Sequence, residues 1–177
     1  MERLASAKSK SFKWTQSGKV STLTSNGEVY AQVTWVRSSG SLATAESGDG
    51  RWTLKRVGFL RPRVTVRIEG SQSDLAMVAM EWSGGGNIVF SDGPAFSFRS
   101  VGFWRPELVI TDSAGNRVLT ITPSAVHMTR EATLELKDET ASSSIHVSLL
   151  AILGWYLGVL VTQYDQEASP IGPPMVF

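Results

Sequence analysis

The segment from Ile145 to Thr162, IHVSLLAILGWYLGVLVT, is a run of eighteen residues without Asp, Glu, Lys or Arg. Serines at positions 142–144 provide N-cap hydroxyls just before it, which predicts a helix from Ile145 to about Gln163, about 28 Å long. Apolar residues cover every face, so the helix must be enclosed by protein or lie in a bilayer. Gly154 and Gly158 permit close approach of either a barrel wall or a second membrane helix.

The preceding 140 residues are typical of short strands separated by turns. In RVTVRI, the residues Val64, Val66 and Ile68 fall on one face of a half-buried strand. The same alternation predicts strands near residues 29–35, 52–56, 75–82, 88–90, 96–98, 108–110, 118–122 and 132–136, with a hairpin turn at 84–87. The 177 residues, 42% of them hydrophobic, suffice for one domain with its own core. The pattern therefore predicts a mainly β sandwich or barrel.

A strand–turn–strand unit occurs twice at an offset of 44 residues. Its copies are Trp52–Val66 and Phe96–Ile110, and both contain Val-Gly-Phe followed by Arg-Pro. We expect Gly58 and Gly102 at the bend. The proline of each copy fits the start of the returning strand, where a missing N–H is tolerated.

Many short strands followed by one wholly apolar helix resemble the Tubby C-terminal-like superfamily, which includes LURP-one-related proteins and phospholipid scramblases. The resemblance rests on the two repeat copies, the turn Asp112–Asn116 and the apolar run. It implies a mainly β fold, a closed antiparallel barrel of about twelve strands around a central hydrophobic C-terminal helix. We expect one such domain over residues 1–165, with helix 145–163, and an irregular Pro-rich tail over 166–177. The resemblance implies membrane binding, notably to phosphoinositides as for Tubby proteins, or an unassigned role as for LURP-one relatives, and no common enzyme activity.

Composition excludes several classes of function. The absence of cysteine excludes disulfides, thiol catalysis and thiolate metal sites. A net charge of +1 argues against nucleic-acid binding. We expect His146 to be a capping or buried histidine. Glycoside hydrolysis uses a pair of carboxylates, and the sequence places no second carboxylate opposite Glu81. We therefore expect no enzyme activity, cofactor or metal.

Positive charge is concentrated between residues 51 and 70, where six cations face one carboxylate, Glu69. This cluster predicts a surface for lipid headgroups or another polyanion, or simply a solvated strand face. The predicted headgroup-binding residues are Lys55, Arg56, Arg61, Arg63 and Arg67, extended through the second repeat copy by Arg99 and Arg105.

Three functional hypotheses follow. The first is a non-enzymatic module that binds anionic phospholipid at a membrane surface, or a protein partner. Such a module is expected to be cytoplasmic and peripheral at the membrane. The N-terminal residues contain no apolar stretch of the kind found in secretory signals.

The second hypothesis is a tail-anchored membrane protein in which residues 145–162 span the bilayer. The third is a small-molecule-binding or hydrolytic β-barrel, which an exposed, titrating His146 or Glu81 would favour.

Overall fold

The computed structural model describes residues 1–37, 40–58, 61–81, 84–102, 106–124, 130–137 and 144–167. Within the last range, side chains are described from Ile145 to Thr162. Arg105 and residues 168–177 of the predicted tail lie outside the described residues. The helix itself continues to Glu167, two residues into the expected tail.

Twelve antiparallel strands form a closed barrel in which every strand pairs with its neighbours in sequence and β12 pairs with β1. The strands are β1 (Ser11–Ser17), β2 (Val20–Ser25), β3 (Glu28–Trp35), β4 (Ala43–Ser47), β5 (Gly50–Val57), β6 (Arg63–Ile68), β7 (Asp74–Met80), β8 (Gly85–Phe90), β9 (Ala95–Val101), β10 (Glu107–Asp112), β11 (Arg117–Pro123) and β12 (Glu131–Leu136). A 3₁₀ turn over Leu4–Ser6 precedes them, and helix α1 (Ser144–Glu167) follows. The predicted mainly β barrel with a C-terminal apolar helix is confirmed.

The turns of this barrel lie on two rims, because consecutive strands run in opposite directions. The lower rim carries the β2–β3, β4–β5, β6–β7, β8–β9 and β10–β11 turns, and the upper rim carries the other hairpin connections. His146 bonds to Asp92 in the β8–β9 turn, whereas Tyr156 bonds to Ser41 in the β3–β4 connection. Helix α1 therefore starts at the lower rim and runs towards the upper rim.

The helix is surrounded by strands from different sides of the barrel. A Cβ atom on Gly154 would lie 2.6 Å from the Ile121 side chain of β11. The next residue, Trp155, stacks on Trp14 of β1 with ring centroids 5.3 Å apart. Tyr156 stacks in turn on Trp35 of β3 at 5.0 Å. Successive residues of a helix point about 100° apart, so these contacts show wall on several sides of α1.

Residues Ile145–Thr162 are long and apolar enough to cross a membrane, with a mean hydropathy of 1.9. In the structure 89% of this window is buried inside the protein. The barrel wall thus supplies the apolar surroundings that a helix without a polar face requires.

The N-terminal segment packs against the lower rim. Leu4 is fully buried in the core, and the Glu2 amide donates to the Val29 carbonyl at 2.9 Å. Gly48 in the β4–β5 turn lets this segment approach, because a Cβ there would lie 2.7 Å from the Glu2 backbone. A larger residue at position 48 would therefore displace residues 2 and 3.

The repeat is confirmed as a strand–turn–strand unit at the upper rim. Gly58 and Gly102 both have positive φ, 84° and 100°, as the predicted bends require. Pro62 and Pro106 stand one residue before β6 and β10, slightly outside the strands in which we expected them.

The prediction of a hairpin turn at residues 84–87 is wrong in large part, since β8 begins at Gly85. A Cβ on Gly86 would lie 2.7 Å from the Phe98 ring and would collide with the Ala79 carbonyl. The missing side chain at this position is therefore needed for close packing between strands rather than for a turn.

We predict that Gly154→Leu lowers the free energy of unfolding by about 1–3 kcal/mol, because the added side chain overpacks against Ile121. Urea unfolding measures the difference. Gly40→Leu is the matched control, because a Cβ at Gly40 meets only Arg37 at an ordinary 3.5 Å or more. An unchanged urea midpoint for Gly154→Leu would contradict an enclosed helix.

Candidate functional site

Outward-facing residues of β5 to β9 form two rows across the wall. The row nearer the lower rim contains Lys55, Thr65, Met77, Val89 and Ala95, each paired with the next across neighbouring strands. The row nearer the upper rim contains Val57, Arg63, Ala79, Asn87 and Ser97. We call these ten residues, together with Arg99, the basic panel.

Two of the predicted headgroup-binding residues are neighbours in this panel. Lys55 pairs with Thr65, and Arg63 precedes Thr65 by two residues on the same outer face. Diagonal partners of this kind lie roughly 7–8 Å apart, with their Cβ atoms somewhat closer. Both side chains are exposed, and the exposed Arg61 precedes β6 at the upper rim. The structure therefore brings Lys55 and Arg63 together, with Arg61 at the edge.

Arg67 is also on the outer face, but it is engaged by a carboxylate. Its Nε lies 2.6 Å from Asp74 Oδ1 on β7. Exposed ion pairs contribute little stability, yet a paired guanidinium offers less net charge to an anion. Arg67 thus contributes less to the panel than its position in the sequence suggests.

Arg56 lies on the opposite side of the wall from Lys55. It shares a face with the buried residues Trp52 and Leu54, so it points towards the interior at the upper rim. Burial raises the pKa of Tyr156 on the helix, and Arg56 offsets part of this rise, which requires the two residues to be close. The structure therefore separates Arg56 from the other predicted headgroup-binding residues.

Arg99 is exposed on β9, three strands from Arg63. At about 4.8 Å per strand, this places the two residues at least about 14 Å apart along the wall. Arg99 therefore marks the far side of the panel. The predicted site residue Arg105 lies outside the described residues.

An apolar pair occupies the centre of the panel. Met77 and Val89 are directly paired across β7 and β8, and their exposed fractions are 42% and 50%. No Asp or Glu occurs in the two rows, although the exposed Glu81 lies one row nearer the upper rim, where its amide donates to the carbonyl of Gly85, the strand partner of Arg99. The panel therefore combines cations at its two sides with exposed apolar surface between them.

A second group of polar contacts, which the sequence analysis missed, holds the start of α1 at the lower rim. His146 Nε2 lies 2.9 Å from Asp92 Oδ2, and the histidine is buried as expected. Ser148 Oγ donates to Asp49 Oδ2 at 2.6 Å. In the sequence, Asp49 and Asp92 have only the pattern of turn residues. Their partners lie 54 and 99 residues away, a separation that no local pattern reveals.

At the other end of the interior, the Tyr156 hydroxyl donates to the Ser41 carbonyl. Burial raises the pKa of Tyr156 above its ordinary value of 10.0, and Arg56 offsets this only in part. This hydroxyl therefore stays protonated at neutral pH and acts as a hydrogen-bond donor.

Glu81 and His146 are the two residues whose exposure would favour a small-molecule-binding or hydrolytic barrel. Glu81 is exposed at the upper rim, whereas His146 is buried. No group of three or more His, Asp or Glu in the described part of the chain could hold a metal ion. Two outer depressions, of about 220 and 300 Å³, contain neither Glu81 nor His146.

Comparisons with protein-family models, with curated proteins and with solved structures find no match to this chain.

We predict that Tyr156→Phe is destabilised at neutral pH by about 0.5–1.5 kcal/mol, because the hydrogen bond to Ser41 is lost. The raised pKa of Tyr156 stabilises the folded state below pH 10.0, and this contribution is lost as the pH rises above that value. The difference between wild type and Tyr156→Phe should therefore shrink above pH 10.0.

Urea unfolding of both proteins at neutral pH and above pH 10.0 measures this change. Thr162→Val is the control, because it removes a buried hydroxyl that donates to the Gly158 carbonyl but does not ionise in this range. A Tyr156→Phe difference as constant with pH as the control's would contradict the raised pKa.

Proposed function

We propose that the basic panel binds anionic phospholipid headgroups at a membrane surface. In this proposal the protein acts without catalysis, as a peripheral protein on the cytoplasmic side. The observation that carries it is the arrangement of exposed Lys55, Arg63 and Arg99 around the exposed apolar pair Met77 and Val89.

The magnitudes are consistent with reversible binding. A Lys or Arg near an anionic membrane contributes about 1 kcal/mol, so the three panel cations contribute about 3 kcal/mol. Partial burial of Met77 and Val89 adds about 2 kcal/mol. A total near 5 kcal/mol corresponds to a dissociation constant of about 0.2 mM, which is typical of a peripheral contact.

Charge also argues for a membrane rather than a second copy of this chain. Two copies meeting through the panel would bring like charges together, which disfavours self-association. A surface of anionic headgroups over an apolar interior complements both the cations and the apolar pair. An acidic protein partner would complement only the cations.

Membership of the Tubby C-terminal-like superfamily is part of the same proposal. It is supported by the twelve-stranded barrel and the enclosed C-terminal helix. A tail-anchored arrangement would instead require residues 145–162 to lie outside the barrel. The Gly154→Leu experiment distinguishes the enclosed helix from the tail anchor, because a helix in a bilayer would not contact Ile121 and the substitution would not destabilise the barrel.

We predict that Lys55→Glu combined with Arg63→Glu reduces binding to phosphatidylcholine vesicles containing phosphatidylserine by more than about thirtyfold. The two lost attractive charges account for about 2 kcal/mol, which is about thirtyfold, and the two added repulsive charges weaken binding further. Vesicle co-sedimentation measures the bound fraction, with circular dichroism to show that the barrel remains folded.

The matched control is Lys8→Glu combined with Arg117→Glu. These exposed residues lie outside the panel, and the variant has the same net charge as the first. Equal loss of binding in both variants would indicate a response to net charge alone. Equal binding by wild type and the panel variant would remove the panel as a binding site.

A second prediction concerns the apolar pair. Met77→Ser combined with Val89→Ser should weaken vesicle binding by about thirtyfold and leave its salt dependence unchanged, because the cations remain. Val36→Ser combined with Leu42→Ser, two exposed apolar residues outside the panel, is the control. If the Met77→Ser, Val89→Ser variant binds vesicles as well as wild type, the contact between the cations and the headgroups is sufficient for binding.

A further inference from the structure

One stretch of the outer wall is buried although it faces away from the interior. Leu108 and Ile110 of β10 point inwards, towards Gly154 of the helix, so Val109 between them points outwards. Val109 is nevertheless only 1% exposed, and it does not belong to the interior core that contains both of its neighbours. Its partner on β11, the outward-facing Thr120, is 7% exposed. We call Val109 and Thr120 the covered pair.

The barrel wall alone does not bury residues in this position. Met77 and Val89 are a directly paired couple on the same outer face, and they are 42% and 50% exposed. The covered pair is flanked in its row by Arg99 of β9 and Glu135 of β12. Both flanking residues are exposed, and no ion pair between them closes over the pair. A further segment of the chain must therefore lie over β10 and β11.

The sequences of these two strands agree with burial on both faces. Strands with one face in water alternate between apolar and polar residues, as β6 does in RVTVRI, whereas strands buried on both faces contain continuous apolar runs. The central residues of β10 are LVI, and those of β11 are VLTI. Their outer face is thus uncharged at its centre, which suits an apolar segment.

The described parts of the chain do not supply this segment. All twelve strands are in the wall, α1 is inside it, and the N-terminal segment packs at the lower rim beside the β4–β5 turn. The C-terminal tail, residues 168–177, has the sequence ASPIGPPMVF, which contains four large apolar residues and no charged side chain. Its composition matches the covered face.

The tail is also long enough and begins in the right place. Its ten residues can span at most about 35 Å. Val109 is two residues from Glu107, where β10 begins at the upper rim, which is a descent of only about 7 Å. Gly154 brings the helix backbone against Ile121 of β11, so α1 runs towards the upper rim on the β10–β11 side of the interior.

We propose that the C-terminal tail turns over the upper rim and packs on the outer face of β10 and β11, over the covered pair. This part of the wall then lies between the helix inside and the tail outside. The contact does not depend on lipid binding by the basic panel. It borders the panel, because Arg99 is the strand partner of Val109.

Thiol labelling tests the proposal, because the chain contains no cysteine and an introduced one is the only reporter. Val109→Cys is reacted with N-ethylmaleimide in the full chain and followed by mass spectrometry. Val89→Cys gives the rate of an uncovered thiol on the same wall. A covered thiol reacts only when the tail detaches, so we expect Val109→Cys to react at least about tenfold more slowly than Val89→Cys.

Substitutions in the tail identify the segment that covers the pair. Ile171→Asp combined with Phe177→Asp places charges in the apolar contact and should bring the rate of Val109→Cys close to that of Val89→Cys. Ala168→Asp combined with Ser169→Asp adds the same charge at the start of the tail and should leave Val109→Cys protected. Circular dichroism shows whether each barrel remains folded, and Thr120→Cys serves as the reporter if Val109→Cys does not fold.

Three results would overturn the proposal. If the reporter thiol reacts as fast as Val89→Cys with the tail unchanged, nothing covers the pair. If it stays protected when Ile171 and Phe177 are replaced, another segment, such as residues 103–105 or 125–129, is the cover. If both tail variants expose it equally, added charge rather than loss of the apolar side chains explains the effect.

Discussion

A helix that is apolar on every face is the constraint from which the rest of this structure follows. Helix α1 has no side that it can present to water, so it needs apolar surroundings all the way round. One flat sheet covers only one face of a helix, whereas a closed wall of twelve strands covers them all. Closure also pairs every strand on both sides and leaves no open sheet edge. The helix and the barrel therefore require each other.

Apolar packing alone would not fix the height and rotation of a helix inside a smooth wall. Polar contacts at the two rims fix this height and rotation. His146 and Ser148 are held by carboxylates of two different lower-rim turns, and Tyr156 is held by the Ser41 carbonyl near the upper rim. Each bond is directional, so together they define one position of α1. This is the role of the aspartates that local sequence patterns identify only as turn residues.

Features that depend on neighbouring residues could be predicted from the sequence. Alternation identified β6 and β12, and the repeated glycines marked the bends at Gly58 and Gly102. Features that depend on distant parts of the chain could not. Gly86 looked like part of a turn because nothing in the sequence shows that Phe98 packs against it. The Arg67 to Asp74 pair depends on the register between β6 and β7, which a strand pattern does not determine.

The same reasoning explains why counting cations overestimates a binding surface on a β-barrel. Adjacent residues of a strand point to opposite sides of the wall, so Lys55 faces solvent while Arg56 faces the interior. Arg51 and Arg67 are engaged by carboxylates on neighbouring strands, Glu46 of β4 and Asp74 of β7. Of the six cations between residues 51 and 70, this leaves Lys55, Arg61 and Arg63 to act outward. The strand register determines which cations lie next to one another on the outer wall. The arrangement of the basic panel therefore depends on the same strand pairing that closes the barrel around its helix.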